Sequence, residues 1–284
     1  MIRATILTIM SLLAAAPAAA GEKAPAFVKT KAVADKPSIS LNPASGYVLL
    51  RTDTAMPLHL VRVPSESEKA IYAALRAKAF AEAQRKYQKK LKSYESLMAD
   101  ETRMPNAARP QKPVEPTEAN FEFTPFELMT GVAIGPTNRF AKQDGGASTY
   151  LQELTPGEYR IYGPAQVMPA GGAAGTCWCM GSVKFKVAAG EITDLGLIAT
   201  KQGKPSVTVA DKNFPVPMDI PNFLGAAPEQ AAIDPRLAKF PIRRAEYRPV
   251  GKLPNYFGIT VGRIPAMPGV LRYDRDRIVD LTAR

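Results

Sequence analysis

Proline constrains this chain more than any other residue. Of 284 residues 26 are proline, spread along the whole length with 11 beyond residue 200. Each one fixes φ, removes a backbone donor and ends or kinks a helix. Short strands with extended connections are therefore favoured over a helical bundle. One stretch escapes the rule. From Glu66 through Ala99 there is neither proline nor glycine, and Ser65-Glu66-Ser67-Glu68 in front of it is a capping box. The spacing predicts one long helix of about 50 Å at 1.5 Å per residue, too long for a small core and therefore projecting. Phe80, Tyr87 and Tyr94 recur every seven residues along it, with Leu91 and Met98 in the alternate seam. The following residues, 101–122, carry four prolines and no apolar period. Extended at ~3.1 Å per residue they reach about 68 Å, enough to run back along the helix. Residues 65–122 thus read as an arm inserted between two strands.

The rest of the chain reads as mainly β. Tyr47-Val48-Leu49-Leu50-Arg51-Thr52 and Leu58-His59-Leu60-Val61-Arg62-Val63 are short strand-like runs. Strand texture returns at 121–123, 126–134, 148–154, 157–162, 177–187 and 192–199, and the glycine- and alanine-rich residues 163–176 read as a loop. The expected architecture is a small antiparallel β-sandwich over 46–200, interrupted by the helical arm. An N-terminal arm, 21–45, leads in, with an edge strand near Phe27. An extended proline-rich tail, 201–284, wraps the sandwich, with a last strand at 270–273 or 277–281.

Residues 1–20 have the form of a secretory signal peptide. Arg3 is followed by an apolar run, and Ala18-Ala19-Ala20 precedes Gly21. Cleavage there leaves 264 residues, and loss of Arg3 leaves 36 cations against 26 acids, a net +10. The expected location is periplasmic or secreted. In that setting much of the charge reads as a solvated surface, and an acidic partner is expected to be lipopolysaccharide, anionic lipid or another anionic envelope polymer rather than nucleic acid. No later segment has the roughly 18 apolar residues of a transmembrane helix.

Leu154-Thr155-Pro156-Gly157-Glu158-Tyr159, then Val183 to Glu191 with its Ala189-Gly190-Glu191 turn, and Asp194-Leu195-Gly196 together resemble exported prealbumin-like or carboxypeptidase-regulatory-like β-sandwich modules. The resemblance spans about residues 120–200. It implies a hairpin at the Pro-Gly turn, no catalytic residue, and a role in binding, spacing or adhesion.

Candidate chemistry is sparse. Cys177 and Cys179 are the only cysteines; in an oxidising compartment they read as a disulfide, with buried thiols or a redox role as alternatives. Residues i and i+2 of a regular strand lie about 6.6 Å apart, so a bond would need a kink. Alternation sets Cys177, Cys179, Gly181, Val183, Phe185 and Val187 on one core-facing side. Met180 and His59 could join the cysteines as soft ligands for Cu(I); packing roles are the simpler account. Asp274, Asp276 and Asp280 alternate with Arg275 and Arg277 and read as a self-neutralised surface. Common hydrolase and phosphate-loop motifs are missing, so no catalytic residue, cofactor or metal is assigned. The arm is the best contact surface: Phe80, Tyr87, Leu91 and Tyr94 form an apolar stripe, and Lys86, Lys89, Lys90 and Lys92 crowd beside it. Its partner is an envelope protein or a second copy of the chain, the latter through a short coiled coil. The alternative is a redox or copper-handling protein built on Cys177 and Cys179.

Overall fold

The computed structural model describes residues 26–54, 56–99, 110–142, 148–169, 172–202, 206–209, 212–215, 219–223 and 233–283. Residues 1–20, read above as a signal peptide, residues 100–109 and parts of 203–232 lie outside them. The chain starts with strands β1 (Thr30–Ala32), β2 (Gly46–Thr52) and β3 (Leu58–Arg62), then helix α1 (Glu66–Ala99) and the single turn α2 (Phe126–Met129). Strands β4 (Gly131–Ile134), β5 (Ala141–Lys142), β6 (Ser148–Leu154), β7 (Gly157–Val167), β8 (Ala173–Met180), β9 (Val183–Val187) and β10 (Ile192–Gln202) follow. The tail adds β11 (Ser206–Val209), β12 (Lys212–Pro215), β13 (Asp219–Phe223), β14 (Ile242–Arg244), β15 (Arg248–Pro249) and β16 (Thr260–Arg263). It ends in β17 (Leu271–Asp274) and β18 (Arg277–Asp280). The protein is mainly β with one long helix.

Two sheets face each other. One runs β1-β6-β2-β10-β13, with β14 beside β10 and β5 beside β6; the other runs β15-β9-β7-β3-β4, extended through β8 and β16. Val48, Leu50, Tyr150 and Leu195 from the first meet Leu58, Leu60, Ile161, Trp178 and Phe185 from the second, all buried. Both outer faces are also covered. Ile39 and Leu237 pack on Tyr47, Leu49 and Leu151, while Leu253 and Ile259 pack on Val61, Tyr162, Cys177 and Cys179. This explains why β2 is buried at all seven positions: a strand covered on both faces reads as a continuous apolar run.

Sequence and structure differ in five places. First, the sheets are mixed, because β2–β10, β10–β14 and β8–β16 run parallel. Second, the Pro156-Gly157 turn is no hairpin. It carries the chain from β6 in one sheet to β7 in the other, as the Gly190 turn carries it from β9 to β10. Third, residues 163–176 are no loop, since β7 and β8 pair through Ala165–Gly175 and Val167–Ala173. Their glycines serve close backbone approach: a Cβ on Gly163 (φ 137°) would lie 2.2 Å from the Thr176 carbonyl oxygen, a conformation and a distance that only glycine tolerates. Fourth, Phe126 to Met129 form a helical turn ahead of β4. Fifth, the first strand is β1, while Phe27 is a buried plug whose ring lies tilted against Phe126 with centroids 4.7 Å apart.

The tail is part of the core. Ala245, Tyr247, Ile264, Met267 and Leu271 sit in the inner cluster, and β17 and β18 form an antiparallel hairpin that uses both of the predicted last-strand segments.

Candidate functional site

The arm begins and ends at one point of one sheet. β3 and β4 pair directly, antiparallel, although 68 residues separate Arg62 from Thr130. The Arg62 amide donates to the Thr130 carbonyl (3.2 Å), and Thr130 Oγ1 donates back to the Arg62 carbonyl (3.1 Å). The insertion thus enters and leaves through a single hydrogen-bonded pair. Its root is clamped as well. The Arg62 guanidinium donates to the Glu68 carboxylate and to the Phe27 carbonyl. Glu68 Oε2 accepts from the Ser65 amide (2.8 Å) and hydroxyl (2.8 Å), and Ser65 Oγ accepts from the Glu68 amide (3.3 Å). The predicted capping box is therefore formed and welded to β3. Burial alone would raise the Glu68 pKa, yet the Ser65 hydrogen bonds and Arg62 hold it below the usual carboxylate value.

Beyond the root, α1 buries no residue over its 34 positions. The return chain lies along one side of it. Tyr72 Oη donates to the Thr124 carbonyl (3.0 Å), and its ring meets Phe123 and Phe126, each at 5.4 Å. Arg76 pairs with Glu118 (2.6 Å) above the Phe121 ring. Phe80 also meets Phe121, with centroids 5.1 Å apart. Of the stripe singled out in the sequence, Phe80 is thus taken up by the chain itself. Tyr87, Leu91 and Tyr94 continue the same side of the helix, half-buried. Lys86 and Lys90 are exposed, and Lys86 pairs with Glu82 (2.7 Å) on the preceding turn. Sequence reading passed over Arg85. At about 100° per residue it falls in one sector with Lys89 and Lys92, nearly opposite the aromatic stripe.

The second candidate is the cysteine strand. Cys177 and Cys179 are disulfide-bonded with Cα atoms 5.3 Å apart, closer than regular strand spacing. The kink has a visible source. Between the pairs Ala165–Gly175 and Arg160–Lys184, eight residues of the β8–β9 segment face four of β7, so the strand bulges. The bulge also breaks alternation. Trp178 joins the inner core with Val183, Phe185 and Val187, whereas the cysteines face outward, buried beneath Leu253 and Ile259. The single core-facing set expected from alternation is therefore split. His59 lies on this outer side, half-buried, its Nε2–H donating to the Ala165 carbonyl (2.9 Å) and its ring 6.2 Å from Phe257. Burial lowers its pKa, and the Ala165 bond offsets this only in part. The Asp274, Asp276 and Asp280 carboxylates are spread over Arg277, Arg263 and Thr282.

The fold and the arm define the class: a mainly β two-sheet protein carrying a projecting helical insertion. No family model, curated protein or solved structure matches the chain.

Proposed function

We propose that the protein is an exported, non-enzymatic binding module of the bacterial cell envelope that reaches its partner with α1. One observation carries this reading. A 34-residue helix without a buried residue leaves one sheet, and the chain returns to it at a single residue pair, an insertion the sandwich does not need for its own core. An insertion of that shape is explained by what it touches. The root clamp of Arg62, Glu68 and Phe126 supports a rigid spacer, because a flexible arm would lose more entropy on binding. Export through residues 1–20, and the likeness of the 154–191 turns to prealbumin-like modules, belong to the same proposal. The partner is an envelope component other than a second copy: the stripe that a coiled coil would use is partly covered by Phe121, and the other faces carry like charge.

The alternative, redox or copper chemistry at Cys177 and Cys179, has less support. Both residues are buried under the 253–259 segment, and His59 Nε2 is engaged by Ala165.

Excision tests the reading. Residues 65–124 are replaced by a short Gly-Ser linker, which the adjacency of β3 and β4 permits. The shortened protein is expected to keep cooperative unfolding while losing retention in isolated envelopes. Full retention would overturn the proposal.

A further inference from the structure

The eight residues from Arg85 to Lys92 hold five cations and no acid. Arg85, Lys89 and Lys92 share a sector of the helix roughly 60° wide, and Lys86 and Lys90 lie together on one side of it, towards the aromatic stripe. All five side chains are exposed. Glu82 one turn earlier is engaged by Lys86, and among the described residues no other ion pair is formed by Arg85, Lys89, Lys90 or Lys92. Glu115 of the return chain and Glu82 border the groove that Arg85, Lys86 and Lys89 also line, and Lys92 lies beyond it. The result is a straight cationic ridge with charges about 4.5–6 Å apart along the axis.

We infer that this ridge is a docking surface for a linear polyanion, an unbranched polymer bearing regularly spaced anionic groups. The inference rests on the proposed role of α1 and names the partner class. Three features select a polymer. The cations stand in a row and do not converge, so they cannot enclose a small anion. Their spacing lets successive charges of an extended chain be met without bending it. Finally, the ridge carries no apolar residue, and the stripe that could enter a bilayer lies on the opposite side with Phe80 already against Phe121; interfacial helices need that apolar face free.

The test uses the full mature chain with dextran sulfate as probe, neutral dextran as control, and vesicles rich in phosphatidylglycerol. Arg85→Gln, Lys89→Gln and Lys92→Gln are combined; glutamine keeps helix propensity. A matched variant removes three exposed cations elsewhere, Arg244→Gln, Lys252→Gln and Arg272→Gln. The expected result is dextran sulfate binding that the ridge variant weakens at least tenfold, with a log–log salt slope smaller by about three, while the matched variant stays near wild type. Equal losses in both variants would reduce the effect to net charge and overturn the inference. So would vesicle binding as tight as polymer binding and equally dependent on the ridge. Should the wild type ignore dextran sulfate while excision of the arm still abolishes envelope retention, the polyanion falls and the binding module stands.

Discussion

Tyr159 shows how a single hydroxyl fixes a corner of this fold. Its ring is fully buried, and Oη donates to the Thr155 carbonyl (2.6 Å), four residues back across the turn between the sheets. Burial, the largest influence, drives its pKa strongly upward, so the donor stays protonated. Tyr159→Phe removes the donor and leaves that carbonyl short of a partner, an expected loss of about 1–2 kcal/mol in urea unfolding. His59 supplies a pH signature. Its folded pKa lies below the unfolded value of about 6.5. The unfolded chain therefore takes up the proton first as pH falls, and stability present above pH 6.5 is lost below it. One proton gives at most about 1.4 kcal/mol per pH unit. Midpoints at pH 7.5 and 5.5 should differ in the wild type and differ less in His59→Gln. Because the chain has one histidine, its NMR titration can be assigned without ambiguity. Neither role was legible in the sequence, where Tyr159 was a strand residue after a turn and His59 a conjectural copper ligand. Both depend on which carbonyl a long-range contact brings near.

At the scale of elements, the helix was the most legible feature. The absence of proline and glycine, together with the Ser65–Glu68 box, set its limits to within a residue. The glycines of 163–176 misled, because a glycine at a close backbone crossing and a glycine in a loop look alike until the neighbouring strand is known. Phe126 misled differently: its apolar neighbours fit a strand, but the chain turns there to anchor the arm. That anchor is testable. Phe126 is buried against Phe27 and Tyr72, and Phe126→Ala should cost about 3 kcal/mol. Amide exchange at the base of α1 should rise more than exchange in β6, if the stack holds the root as described.

For the whole molecule, the prediction of a β-sandwich with a helical insertion rested on short strand-like runs separated by turn signals and one proline- and glycine-free stretch, and it held for the architecture. What it missed was the mixed pairing, set by connections that cross between sheets, and the depth to which the tail enters the core. Tyr247 and Leu271 lie 195 and 219 residues beyond the end of β2, and no local pattern announces such a contact. The candidate surface was half legible. The lysines stood out as a cluster and their alignment with Arg85 follows from helical periodicity, but the capture of Phe80 by Phe121 required the geometry of the return chain. The central claim is that α1 is the contact device, and site-specific photo-crosslinking from position 88, exposed beside the Arg85, Lys89 and Lys92 sector, in intact cell envelopes tests it most directly. The account predicts an adduct with a foreign envelope component. A crosslink confined to the protein's own sandwich or return segment would contradict it.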